Sequence, residues 1–319
     1  MAVYTHVDDT TLAAFLDRYD VGQAVSFKGI AEGVENSNYL LETTKGRYIL
    51  TLYEKRANPA DLPYFLDLME HLAAAGLPAP LPIHDKTGQA LQELAGRPAC
   101  LISFLTGVSV DHPSPNQCAS LGAVLAGMHK ATETFQETRP NDLALAGWKK
   151  LAEQTADRAD EVEDGLSKLI ADEIAFLEAN WPKGLPTGTI HADLFPDNIL
   201  FSGDRITGVI DFYFACTDML AFDIATCINS WCFDEAHLFV PAKAKRLTEL
   251  YDGHRPLSAA EIDALPILCR GSALRFLLTR LYDWLNPVPG AVVRAKDPRE
   301  YLKKLNFHRA VRDAADYVV

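Results

Sequence analysis

The sequence predicts a two-lobed α+β chain: a β-rich first third, residues 1–106, followed by a mostly helical remainder, residues 107–319. Three observations carry this prediction. A length of 319 residues exceeds one average domain. Strand patterns dominate up to Thr106, and apolar residues at helical spacing dominate after Gly107. Hydrophobic residues make up 48% of the chain and charged residues 23%, enough apolar material for a folded core and the wrong balance for a disordered, collagen-like or fibrous chain.

The first element is a helix over residues 9–19, with Leu12, Phe15, Leu16 and Tyr19 on one face and Asp8 or Asp9 as N-cap. Strands follow at Ala24–Gly29, Asn38–Thr43 and Arg47–Tyr53. Thr44-Lys45-Gly46 joins the last two and is short enough for a hairpin. A helix from Asp61 to Ala75 presents Leu62, Phe65, Leu66, Met69 and Leu72, and Gly76 and Pro78 stop it. Short strands at Ala90–Leu94 and Ala99–Phe104 complete the lobe. Beyond Gly107, Ser114-Pro115-Asn116-Gln117 has capping-box spacing with proline at the first helical position, ahead of a stripe of Cys118, Leu121, Leu125 and Met128. A second helix carries Leu166, Leu169, Ile170, Ile174 and Leu177. Residues 187–214 form a strand-rich insert, and the chain from Ala221 onward is again mostly helical, including Leu274, Leu277, Leu278, Leu281 and Leu285.

Charge and cysteine usage narrow the class of partner. The formal charge of −13 argues against a nucleic-acid binder, because phosphate contacts need a basic face. A nucleotide whose phosphates ride on magnesium remains compatible. Cys100, Cys118, Cys216, Cys227, Cys232 and Cys269 show no C-x-x-C spacing and read as core residues of a reducing cytosol. Met1–Asp9 has neither the basic nor the apolar region of a signal peptide, and no run of 18 apolar residues reads as a membrane span. The expected location is the cytoplasm, with no membrane partner.

The chemistry is carried by Thr189-Ile190-His191-Ala192-Asp193-Leu194-Phe195-Pro196-Asp197-Asn198-Ile199-Leu200-Phe201 and by Gly208-Val209-Ile210-Asp211-Phe212. Phosphoryl transfer from ATP needs a carboxylate to orient or deprotonate the acceptor hydroxyl and oxygen ligands that hold magnesium on the phosphates. Asp193 and Asn198 fit the spacing of H-R-D-x-x-x-x-N with alanine for arginine. A strand from Asn198, a turn at Gly203-Asp204 and a return strand to Phe212 are expected to carry Asp211 back beside Asn198, where the D-F-G aspartate of kinases lies. Tyr213 replaces that motif's glycine. His191 alone reads as a structural hydrogen-bonding residue, and it is the joint pattern that points to a kinase-type phosphotransferase. Upstream, residues 29–38 join two strands; Gly33 lets backbone amides approach phosphate oxygens, and Asn36 and Ser37 offer further donors.

Together with the His191–Asn198 and Val209–Phe212 segments, Glu32–Tyr39, Ala75–Pro80 and Asp218–Ala225 resemble the aminoglycoside phosphotransferase/choline kinase superfamily. Tyr48–Glu54 makes the chain most similar to the bacterial homoserine kinases built on that fold. The resemblance runs from about residue 10 to the C-terminus. It implies a bilobal protein-kinase-like fold, with residues 1–106 as nucleotide-binding lobe and residues 107–319 as catalytic and substrate lobe. It implies ATP and Mg2+ as cofactors, and phosphorylation of the side-chain hydroxyl of L-homoserine to O-phospho-L-homoserine, a step of threonine biosynthesis. By the same resemblance Asp193 is the catalytic base in contact with substrate, Asn198 and Asp211 are the magnesium ligands, and Asp223 is a buried brace for the catalytic-loop backbone. Physical reasoning agrees on Asp223, since a carboxylate flanked by Phe222, Ile224 and Ala225 needs donors. Adenine is placed by analogy between the lobes, on backbone near Ser103 and Leu105.

One departure stands out. The strand after the phosphate loop offers Thr51 where a kinase carries its phosphate-binding lysine, and Phe65 lies near the place of that lysine's glutamate. Loss of both is self-consistent, because a buried glutamate without its partner is costly. Lys28, Lys55 and Arg56 are the candidate replacements, and a degenerate nucleotide-binding module is the non-enzymatic alternative. For the acceptor, Arg275 and Arg280, with Arg270 near them, suit a substrate carboxylate, and Asp234 beside Trp231 and Phe233 suits an ammonium. An aminoglycoside would call instead for a broad acidic surface, and choline for an aromatic cage drawn from Trp231, Tyr282 and Trp284.

Overall fold

Alternating side chains in the first third resolve into one antiparallel sheet. The computed structural model describes residues 5–30, 36–54, 58–287 and 295–317. Strands β1 (Ala24–Gly29), β2 (Asn36–Thr43), β3 (Gly46–Tyr53), β4 (Leu91–Leu94) and β5 (Arg97–Ser103) are ordered β1-β2-β3-β5-β4. Thr43 pairs with Gly46, so Thr44-Lys45 is the tip of the predicted hairpin. Helix α1 (Asp9–Leu16) is capped by Asp8, whose Oδ1 accepts from the Thr11 amide at 2.8 Å. Its Leu12, Phe15 and Leu16 share a core with Leu41, Leu50, Leu52 and Leu101. Helix α2 (Leu62–Ala74) follows a 3-10 turn at Pro59–Asp61.

Strand β2 begins two residues earlier than its apolar pattern suggested. Asn36 and Ser37, read as loop donors for phosphate, are strand residues with buried side chains. Ser37 Oγ donates to Glu54 at 2.7 Å and accepts from the Thr5 amide, and Asn36 Oδ1 accepts from the Glu54 amide at 3.4 Å. Their polarity reads as loop in the sequence because the groups that satisfy it lie on other segments.

By its contacts the chain divides into two units. One holds the residues up to Thr106 together with Thr207–Tyr213; the other holds Gly107–Ile206 and the described residues from Phe214 onward. The second unit is helical: α3 (Pro115–Ala131), α4 (Leu145–Thr155), α5 (Leu166–Asn180), α6 (Leu220–Trp231), α7 (Pro241–His254), α8 (Ala259–Leu285) and α9 (Arg299–Ala310). The Ser114/Gln117 capping box of α3 forms as predicted. Helix α4 went unread because its polar face of lysines and glutamate outweighs Trp148, the one large side chain it buries fully. Helices α3 and α7 touch at Gly122, where any Cβ would collide with the Leu247 carbonyl.

The strand-rich insert contains β6 (Thr187–Ile190), β7 (Ile199–Ser202) and β8 (Arg205–Val209), with β9 (Cys216–Met219) just beyond its predicted end. They pair as β6-β9 and β7-β8, and the division between the units falls within β8.

At the far end of the helical unit, His308 is fully buried between the Tyr317 hydroxyl (2.6 Å) and Asn229 Oδ1 (3.0 Å). Burial, reinforced by the charges of Lys304 and Arg270, draws its pKa down to about 3. An unfolded chain binds this proton near pH 6.5 and the folded one does not, so the stability contributed by neutral His308 is full above that pH and is lost as pH falls. Urea midpoints measured from pH 7 to pH 4 should therefore drop, by about 1.4 kcal/mol of unfolding free energy per pH unit from this group. His308→Gln should flatten that slope by one proton; identical slopes in the two proteins would contradict the assignment.

Candidate active site

Strand β6 ends at Ile190, and the chain then makes a turn that no hydrophobic pattern specifies. Ala192 sits in the left-handed region with φ of 65°, a conformation that costs a non-glycine residue about 1 kcal/mol or more. Three side chains hold it there. Asp223, in the first turn of α6, accepts the His191 amide on Oδ2 and the Ala192 amide on Oδ1, both at 2.8 Å. Arg275, from the middle of α8 and 1% exposed, donates through Nη1 to the Ala192 carbonyl. The His191 ring accepts the Asp193 amide at 3.3 Å.

The next residues are fixed in the same way. Trp231 Nε1 and Ser230 Oγ donate to the Leu194 carbonyl at 2.8 and 3.0 Å. The Asn198 amide nitrogen donates to the Asp193 carbonyl at 2.8 Å and to the Asp193 carboxylate at 3.2 Å, while the Asn198 backbone amide closes a turn on Phe195. Asp193 and Asn198, five residues apart, are thus locked side by side at the mouth of β7. Asp193 and Asn198 are both half-buried.

Asp223 is completely buried, and its electrostatics explain why it stays ionised. Burial works to raise its pKa, but the hydrogen bond and electrostatic pull of His129, with those of His191, hold it below the usual carboxylate range. His129, on α3, contacts Asp223 Oδ2 at 3.3 Å and the Tyr251 hydroxyl at 2.7 Å. Arg255 donates to that hydroxyl at 3.2 Å and pairs with Glu261 at 2.9 Å. The loop at residues 191–198 is therefore tied through one chain of polar groups to α3, α7 and the start of α8. Arg275, also fully buried, has its pKa drawn down by that burial, against which the charges of Asp193 and Asp223 act.

Asp211 lies just beyond β8 in the unit of the five-stranded sheet, again in left-handed backbone with φ of 65°. In the same unit Tyr213 packs edge-on against Tyr53 and Phe65, with centroids at 5.3 and 5.7 Å, and the Tyr53 hydroxyl donates to that of Tyr213 at 3.3 Å. Thr51 is buried and donates to Asn38 Oδ1 at 2.8 Å.

Residues 26–257 match the phosphotransferase enzyme family. The chain belongs to that family. It is 56% identical to the homoserine kinase of Methylobacterium radiotolerans, with 99% of each chain covered. It is likewise 56% identical to the homoserine kinase of Agrobacterium fabrum, covering 99% of this chain and 98% of that one. Among solved structures, an amicoumacin kinase in complex with AMP-PNP, Ca2+ and Ami superposes with a TM-score of 0.69 at 14% identity, covering 97% and 95%. The predicted kinase-like α+β fold is the fold of these phosphotransferases, and such an enzyme uses ATP on a small-molecule acceptor.

The structure of this phosphotransferase brings some of the expected site residues together and leaves others apart. His191, Asp193, Asn198 and Asp223 come together at one loop. Ser103 closes the end of β5, its backbone amide and Oγ both bonded to Leu81, and Leu105 makes no hydrogen bond among the described residues. Gly33, Lys55 and Arg56 lie outside the described residues, and Lys28 is exposed on β1. The buried Arg275 guanidinium donates through Nη1 to the Ala192 carbonyl. Asp234 closes its own turn by accepting the Ala236 and Leu238 amides at 2.9 and 2.8 Å. Arg280 pairs with Glu300 at 2.6 Å, and Arg270 forms two 2.7 Å bonds to buried Glu173. Trp231, offered for a choline cage, is buried and bonded to the loop. The sequence reading missed His129, whose only signal was a histidine one residue past the apolar stripe of α3.

Proposed function

We propose that this chain transfers the γ-phosphoryl group of ATP to the side-chain hydroxyl of L-homoserine, giving ADP and O-phospho-L-homoserine for threonine biosynthesis. Likeness to homoserine kinases over the full length carries the reading, and a loop that pins an aspartate beside an asparagine supports it. The sheet-bearing unit is read as the nucleotide-binding lobe and the helical unit as the catalytic and substrate lobe. The six cysteines, all free and buried, suit the cytoplasm.

Asp193 orients the acceptor hydroxyl and takes up its proton. Its backbone is held on both sides, so the carboxylate enters the reaction already placed, which is where this chemistry gains most. Asn198 and Asp211 are each retained as residues that would hold magnesium, since hard oxygen donors of this kind fit that ion. Magnesium, when bound, neutralises charge on the phosphates. Gly33 is retained as a phosphate-loop residue, and the backbone of Ser103 and Leu105 as the edge that meets adenine.

ADP release by the purified protein with ATP and Mg2+ tests the reading across L-homoserine, choline and an aminoglycoside. Release is expected with L-homoserine alone. Release that follows choline or the aminoglycoside instead would replace the acceptor, and none with any of the three would favour a nucleotide-binding module.

A further inference from the structure

The helical unit contains a charged cluster that bracing the catalytic loop does not explain. Arg280 of α8 and Lys304 of α9 are 9% and 4% exposed, yet they share one carboxylate: Glu300 accepts from Arg280 Nη1 at 2.6 Å on Oε2 and from Lys304 Nζ at 2.6 Å on Oε1. Two buried cations on one anion leave a surplus positive charge, and an uncompensated buried charge is expensive. Both cations also keep unused donors, since neither makes another hydrogen bond among the described residues. Glu300 is ionised: burial works to raise its pKa, but Lys304 and Arg280 pull it down to about 2.

The cluster adjoins the catalytic loop. Arg280 and Lys304 lie over the ring of Tyr301, 4.5 and 4.6 Å from its centroid. That ring is 6.4 Å from Phe195, whose amide donates to the Asp193 carbonyl at 2.9 Å. The Tyr301 hydroxyl is fully buried and has no hydrogen-bond partner among the described residues. The charges of Arg280, Glu300, Asp193 and Arg275 all bear on it. A buried hydroxyl without a partner, on a ring that two cations overlie, is an arrangement a small anion would complete.

We propose that Arg280 and Lys304, held in place by Glu300 and assisted by the Tyr301 hydroxyl, bind the α-carboxylate of the acceptor while its side-chain hydroxyl meets Asp193. The inference rests on the homoserine reading and names its specificity determinant. Glu300 keeps the two cations together when no substrate is present, and the surplus charge selects an amino-acid alcohol over an amine alcohol without a carboxylate. The Arg280 guanidinium offers a planar fork and Lys304 a point charge, a pairing suited to the two carboxylate oxygens.

The test compares kcat/KM for L-homoserine with that for 3-aminopropan-1-ol, the same molecule without its carboxylate. Arg280→Gln and Lys304→Met should each lower kcat/KM for L-homoserine about 10- to 100-fold, chiefly through KM, the loss expected for one charge-assisted bond. Activity on 3-aminopropan-1-ol should stay within about threefold, because that acceptor makes no such bond. The ratio within one preparation is independent of the folded fraction. A cluster that only ties α8 to α9 would lower both acceptors together, and an unchanged ratio in both variants would overturn the proposal. A second measurement needs no variant: the wild-type protein should prefer L-homoserine to L-homoserinamide by a similar factor, and equal use of the two would also overturn it. Failure of the wild-type protein to phosphorylate L-homoserine at all would count against the function instead, and it is seen before any variant is made.

Discussion

Asp193→Asn should leave the protein folded and reduce turnover by about 10²- to 10⁴-fold, the range contributed by a positioned general base. Asparagine keeps an oxygen to accept from Asn198 and leaves the backbone bonds of the loop untouched. The substitution removes the proton acceptor and one negative charge near Arg275. Asp223 still offsets that arginine, so the stability cost should be on the order of 1 kcal/mol. Single-turnover transfer at saturating ATP and L-homoserine, run beside a thermal melt, checks both parts. Near-normal turnover would remove Asp193 from the chemistry, and a collapsed melt would show that its charge is needed for folding.

Asp223→Ala should behave differently, losing stability and activity together. The alanine leaves the His191 and Ala192 amides buried without acceptors and takes away the partner of His129. Breaking a buried charged network of this kind costs about 3–5 kcal/mol. The left-handed Ala192 then loses its main restraint, so the surviving folded protein should also turn over slowly. The pH dependence follows from the sign of the shift. Because the folded-state pKa of Asp223 is depressed, its contribution is fully present above the unfolded value near about pH 4 and is lost as pH falls through the folded value. The stability gap between wild type and Asp223→Ala should thus be constant from pH 8 to pH 5 and narrow below about pH 4. A gap of under about 1 kcal/mol at pH 7 would show that the loop does not depend on this brace.

These two aspartates show what kind of information the sequence holds. The pairing of Asp193 with Asn198 is readable because it is set by spacing along one short loop. Asp223 is readable because a carboxylate among Phe222, Ile224 and Ala225 has to find donors. The capping box at Ser114, the hairpin tip at Thr44-Lys45 and the apolar stripes of α1 and α2 are local in the same sense, as is the lack of a lysine–glutamate pair at Thr51 and Phe65. What replaces that pair, a packed group of Tyr53, Phe65 and Tyr213, could not be foreseen, since Tyr213 is remote from the other two in the chain.

The arginines mark the limit. Arg270, Arg275 and Arg280 lie at five-residue intervals on one helix and look equivalent as letters. Folding gives them three different partners: the carboxylate of Glu173, the backbone of Ala192 and the carboxylate of Glu300. Sequence alone determined the lobe order, most of the helices and strands, and the loop that sets Asp193 beside Asn198, because propensity, capping and motif spacing act over a few residues. Tertiary structure alone decided which buried charge meets which partner, because a charge removed from water is stabilised only by groups brought to it in space, whatever their distance along the chain.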